Sequence, residues 1–135
     1  MTMIRLLAAL CSALWLSAQP VAAQSALSTD NRSISVTTGG TFQAIAPTDN
    51  TRRMLQIENN NTNTDDCWIN DDGTVAVGDT TATAKTVHGA AITAQKASIR
   101  LTPGGQYTRY YPYVPDGPIV GTCTTTGDSI YAAIH

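Results

Sequence analysis

The sequence predicts an all-β chain, an antiparallel β-sandwich of about nine short strands with jelly-roll or immunoglobulin-like connectivity. A small barrel is the second choice. Three observations carry this reading. Apolar and polar residues alternate with a period of two in several short segments, most clearly Arg53-Met54-Leu55-Gln56-Ile57-Glu58-Asn59. Short strands are punctuated by turn chemistry at intervals of about 8 to 12 residues, with Gly39-Gly40, Asp72-Gly73 and Gly104-Gly105 among the signals. Only 13% of residues are charged, while Thr, Asn, Gly and Ala are abundant, so polar surface must come from hydroxyls and amides on strands and turns.

Taken in order, residues 33–37 alternate polar and apolar and stop at Gly39-Gly40. Residues 41–46 bring Phe42 and Ile45 and end at Pro47, with Asp49-Asn50 as the turn. In residues 53–59, Leu55 and Ile57 point to one face and Gln56 and Glu58 to the other. The polar run 59–66 predicts a surface loop. Residues 67–69 form a short strand, and Asp72-Gly73 signals a hairpin returning through residues 74–77. Residues 78–91 lack periodicity, and residues 90–97 read as one or two helical turns. Residues 97–102 place Ile99 and Leu101 inward and end at Pro103-Gly104-Gly105. Residues 106–111 follow, before Pro112, Pro115 and Pro118 mark an irregular crossing. Residues 119–124 and 129–134 form a last hairpin around Thr126-Gly127-Asp128.

Ahead of this domain, Arg5 precedes an apolar run from Leu6 to Leu16, followed by Ser17-Ala18-Gln19-Pro20-Val21-Ala22-Ala23. A charged start, a run of about 11 residues and a small-residue end are the parts of a secretory signal. As a helix the run would be roughly 16 Å long, against a hydrocarbon core of about 30 Å. The domain plan is therefore a signal peptide at 1–23, cleaved after Ala23, a flexible arm at 24–32 and one sandwich at 33–135. The expected location is secreted or periplasmic. About 112 residues remain after cleavage, enough for one domain with a real core. Without Arg5, seven of the eight Lys and Arg face ten Asp and Glu, with no basic stripe. Nucleic acid and anionic membrane are therefore poor partners, and no later segment is long enough to span a bilayer. Cys11 leaves with the signal. Cys67 and Cys123 remain, and in an oxidising compartment they predict a disulfide tying two strands or sheets together. The loop it closes is about 57 residues, for which chain entropy gives at most roughly 4 kcal/mol.

No nucleophile elbow, zincin helix, Walker loop or dinucleotide fingerprint occurs, so the reading is a non-enzyme with no catalytic residues, metal or cofactor. His88 lies in the least periodic stretch and His135 ends the chain. Asp65, Asp66, Asp71 and Asp72 flank the Cys67 strand but lack the alternating spacing of a calcium loop. Sequons occur at Asn31 and Asn60. The most unusual chemistry is Tyr107-Thr108-Arg109-Tyr110-Tyr111-Pro112-Tyr113, which holds four of the five tyrosines. Tyrosine offers a large rigid face with a polar tip, suited to protein interfaces and sugar stacking. Alternation puts Tyr107, Arg109 and Tyr111 on one face and Thr108 and Tyr110 on the other. The candidate binding surface is Tyr107, Arg109, Tyr110, Tyr111 and Tyr113, with Arg100 on the preceding strand. Its partner would be a protein or a surface glycan. Exposed edge strands allow a homo-oligomer as readily as a monomer.

The order of motifs carries one resemblance. Gly40-Thr41-Phe42-Gln43 leads to Leu55-Gln56-Ile57-Glu58-Asn59-Asn60, then to Leu101-Thr102-Pro103-Gly104-Gly105 and the Tyr113-Val114-Pro115 crossing. Over about residues 33 to 134 this resembles small β-sandwich proteins encoded in phage and prophage structural regions of proteobacteria. The resemblance implies a non-enzymatic, virion-associated or decoration-type module that binds other proteins or surface glycans.

Overall fold

Residues 30–135 are described by the computed structural model. The expected signal peptide and most of the expected arm lie outside the described residues. Eleven strands and no helix form among the described residues: β1 Asp30–Asn31, β2 Ile34–Ser35, β3 Gln43–Ala46, β4 Met54–Asn59, β5 Cys67–Asn70, β6 Ala84–Val87, β7 Ala90–Thr93, β8 Ile99–Leu101, β9 Gln106–Tyr110, β10 Ile119–Cys123 and β11 Ser129–Ile134. β1 and β2 both pair with β11, so residues from Asp30 onward already belong to the domain.

Nine of the eleven strands form two antiparallel sheets, one ordered β1–β11–β4–β9 with β2 also on β11, the other β3–β10–β5–β8, and β6 and β7 pair apart as a two-stranded sheet. Taking β1 and β2 as one interrupted strand, the first strand pairs with the last, β3 with β10, β4 with β9 and β5 with β8. A long hairpin, rolled until β11 meets β4 and β10 meets β5, gives this pairing. That is jelly-roll connectivity, and it sets aside both the immunoglobulin-like alternative and the closed barrel.

Two apolar layers hold the sandwich. Between the sheets, Leu55 and Ile57 of β4 and Ile130, Ala132 and Ile134 of β11 meet Ile45, Ile69 and Ile119. On the far side of the second sheet, Phe42, Trp68 and Val120 pack with Val75 and Ala94. The last two come from the long insertion between β5 and β8, which lies over that sheet like a lid. β5 and β10 are consequently buried on both faces. This is why Cys67-Trp68-Ile69-Asn70 and Ile119-Val120-Gly121-Thr122-Cys123 show no polar alternation.

The insertion departs from the sequence reading. Residues 74–77 do not return as a strand. Asp72 accepts the Thr74 N–H at 2.8 Å and Asn70 Oδ1 accepts the Val75 N–H at 3.2 Å, a side-chain-closed turn that delivers Val75 to the outer cluster. Within the supposedly aperiodic stretch, β6 and β7 form a hairpin. Its two-residue turn is His88-Gly89, with φ of 49° and 81°. Positive φ at both positions matches the twist of a tight hairpin. Lys85 anchors it to Asp79, whose carboxyl is held below its ordinary range by that bond and by the Ala76 N–H. The expected helical stretch shrinks to one turn, in which Ala97 N–H donates to the Thr93 carbonyl at 3.0 Å.

Cys67 and Cys123 form the expected disulfide. They are register partners in β5 and β10, so the bridge joins neighbouring strands of one sheet, not the two sheets. Nor is the polar run after β4 simply a surface loop. Asn59 is fully buried, and its Nδ2 donates to the Leu101 and Asp65 carbonyls at 2.9 and 3.0 Å. Asn63 Nδ2 donates to Asn59 Oδ1 at 2.7 Å and to the Ser129 carbonyl at 2.8 Å. Buried amides are tolerated here because each replaces the backbone partners that strand ends lack.

Candidate functional site

β9 is the end strand of the first sheet, and its register on β4 assigns each side chain to a face. Tyr107 and Arg109 stand opposite Ile57 and Leu55 and share their inward face. Gln106, Thr108 and Tyr110 stand opposite Glu58, Gln56 and Met54 on the outer face. Tyr107 packs half-buried against the inter-sheet core. Its hydroxyl donates to the Asp71 carboxylate, in the loop after β5 of the second sheet. Arg109 Nε donates to the same hydroxyl, and its guanidinium lies 5.0 Å from the Tyr107 ring centroid. This relay spans the open side of the sandwich. Burial, reinforced by the bond to Asp71, pushes the Tyr107 hydroxyl above its usual pKa, and the Tyr107 hydrogen bond raises that of Arg109. Tyr107 therefore acts as a neutral donor, a structural role.

Past β9 the chain turns. Tyr113 N–H donates to the Tyr110 carbonyl at 2.9 Å, and Tyr111-Pro112 is a cis peptide. Tyr110, Tyr111 and Tyr113 remain 65, 65 and 79% exposed. One face of Tyr111 is taken by Arg53, 4.6 Å from the ring centroid. The neighbouring Arg52 has the opposite fate: at 4% exposure, its guanidinium donates to the carbonyls of Pro115, of Gly117 at 3.3 Å and of Pro47 at 2.8 Å. Burial lowers its pKa, yet an arginine stays charged. Arg52 thereby fixes the proline crossing against the loop before β4.

A cleft of about 520 Å³ opens between that crossing and the loop after β5. Tyr113 and Pro115 line one wall, Asp71 and Asp72 the other, and Arg109 also lines it. Burial tends to raise the Asp72 carboxyl, but hydrogen bonds from Thr74 and Asn70 outweigh it and hold the pKa below the usual range. The cleft thus presents two carboxylates, one guanidinium and an aromatic face. Its lining combines charge with ring surface.

Of the residues expected at this surface, Arg109 and Tyr113 line the cleft and Tyr107 binds its Asp71 wall, while Tyr110 stands on the outer face of the first sheet, Tyr111 packs against Arg53 and Arg100 lies elsewhere. Arg100 stands opposite Trp68 on the outer face of the second sheet and binds Asp66 through Nε at 2.7 Å. Cys67 and Cys123 lie in the core, away from this surface. The four acids around β5 divide into two places, with Asp65 accepting the Thr125 hydroxyl and Asp66 the Arg100 guanidinium, while Asp71 and Asp72 line the cleft. Among the described residues no three His, Cys, Asp or Glu are placed to share a metal ion. His88 sits exposed at the hairpin tip. The sequence reading missed Arg52, Arg53 and the bond from Tyr107 to Asp71. An Arg-Arg pair ahead of an apolar strand was the available signal for the first two; the third depends on which strands become neighbours. Comparison with family models, with curated proteins and with solved structures gives no match for this chain.

Proposed function

We propose that this chain is a non-enzymatic, exported interaction module that binds a protein partner through the surface of residues 107–113. The observation that carries this reading is the row of exposed tyrosines, Tyr110, Tyr111 and Tyr113, on a backbone fixed by β4 and Arg52. Rigid aromatic side chains lose little entropy on contact and dominate protein interfaces. Export is supported by the N-terminal pattern of the sequence and by the buried disulfide, which suits an oxidising compartment. No helix among the described residues is long and apolar enough to cross a membrane.

The test is capture from the envelope and medium of the source cells, with the wild-type domain and the Y110A/Y111A/Y113A variant as paired baits. A partner retained by the first and lost by the second is the expected result. Equal capture by both removes this surface from recognition. A second reading, a virion-associated decoration-type module, draws support from the jelly-roll connectivity, which also serves viral capsid and lectin domains. Fold does not choose function, so the partner decides: a virion protein captured in this experiment selects the second reading.

A further inference from the structure

The backbone of β9 carries an inference that rests on the interaction reading above. In antiparallel pairs, residues alternate between those bonded to the neighbouring strand and those whose N–H and C=O turn away. Tyr111 N–H donates to the Arg53 carbonyl at 2.9 Å, and Asn59 N–H donates to the Gly105 carbonyl at 3.0 Å. With Leu55 opposite Arg109 and Ile57 opposite Tyr107, the residues bonded to β4 are Gly105, Tyr107, Arg109 and Tyr111. Gln106, Thr108 and Tyr110 therefore direct their N–H and C=O groups to the side where no strand follows. Among the described residues, only the Tyr110 carbonyl of this set has a protein partner, the Tyr113 N–H.

Proteins normally guard such edges with short strands, bulges or outward charges. The other three ends of the two sheets are guarded in these ways. β1 and β2 are two residues each and broken at Arg32-Ser33. β3 meets β10 through a register shift. β8 has three residues and turns Arg100 outward onto Asp66. β9 runs five residues in unbroken register, without proline or lysine. Its one cation, Arg109, already has Tyr107 as partner, so an added strand does not isolate it.

We propose that the free edge of β9 takes up an extended segment of the protein partner as a further strand, with a lysine or arginine of that segment lying against Asp71 and Asp72. Strand addition supplies affinity through main-chain bonds and specificity through alternate side chains. On an added strand, side chains beside Tyr107 and Arg109 point to the inner side of the sheet, where the cleft lies. The two carboxylates there outnumber the single guanidinium, so the site favours a cation. Side chains on the opposite face meet Thr108 and Tyr110.

The experiment uses the folded, disulfide-bonded domain to select from a yeast-displayed library of random dodecapeptides, followed by synthesis of the enriched sequences. Enriched peptides are expected to alternate in polarity and to carry a basic residue at one fixed position. Their binding should slow amide exchange at Gln106 and Thr108. Thr108→Pro, which removes an outward N–H and none that faces β4, should weaken binding by at least roughly tenfold. Asp72→Asn should weaken basic peptides selectively. Absence of enrichment overturns the proposal. So do enriched peptides that leave Gln106 and Thr108 exchange unchanged; if those peptides still lose affinity with Y110A/Y111A/Y113A, the tyrosine surface stands and strand addition falls. Protection of the edge that grows with protein concentration alone identifies a second copy as occupant and also overturns it. If the proline variant fails to fold, the exchange measurement on the wild-type domain decides.

Discussion

Asn59 shows how one polar side chain organises an end of the sandwich. Its amide serves the Leu101 and Asp65 carbonyls while its oxygen receives Asn63, which in turn holds Ser129. Asn59→Ala orphans these groups, and each buried unpaired group costs about 1–3 kcal/mol, so the unfolding midpoint in denaturant should fall steeply. Nothing in the run Asn59-Asn60-Asn61-Thr62-Asn63 marks two of its asparagines as internal, since a composition typical of loops is the same whether the amides face water or carbonyls. Asp128 is the opposite case. One of its carboxylate oxygens has no partner, and burial, together with the nearby Asp65 charge, raises its pKa. The folded state therefore holds this proton more tightly than the unfolded chain. The contribution of this group to stability is fully present below the ordinary aspartate range and is lost as pH rises through it to the folded pKa. Asp128→Asn should accordingly raise Tm at pH 7 and leave it unchanged near pH 3. An equal rise at both values would locate the effect elsewhere.

Strands that alternate were legible because one face is core and the other is not. Leu55 and Ile57 sit inward as their spacing required, and Glu58 stays outside. β5 and β10 were found by their apolar content alone, because the insertion covers the second sheet and removes the polar face that would have shown a period. The β6–β7 hairpin was hidden for another reason. Ala84-Lys85-Thr86-Val87 and Ala90-Ala91-Ile92-Thr93 are weakly apolar, and their turn is His88-Gly89 where an Asn-Gly pair would have announced it. A histidine accepts φ of 49° more readily than a β-branched residue does. His88→Val should therefore cost about 1 kcal/mol, read as faster amide exchange confined to the hairpin, while His88→Asn should cost nothing. Equal behaviour of the two variants would show that the turn type does not hold this element.

For the whole molecule, rolling one long hairpin into two sheets brings residues remote in sequence to the same opening: Asp71 from the loop after β5, Tyr107 and Arg109 from β9, and Tyr113 from the crossing. The tyrosine run was visible in the chain, but the acidic wall opposite it was not, because only the pairing order makes those loops neighbours. The disulfide lies on β5 and β10, which already share a ladder. Replacing both cysteines by alanine should cost about 2–4 kcal/mol through the unfolded state and leave the sheet order intact, as judged by an unchanged amide spectrum at β9. Export is checked by mass spectrometry of protein secreted by the source cells, where a mature chain beginning at Gln24 is expected. The most direct measurement is the affinity of the captured partner for the wild-type domain and for Y110A/Y111A/Y113A, compared by calorimetric titration at equal folded fraction. A loss of at least roughly tenfold, about 1.4 kcal/mol, is expected, and equal affinities would contradict the assignment of residues 107–113 as the recognition surface.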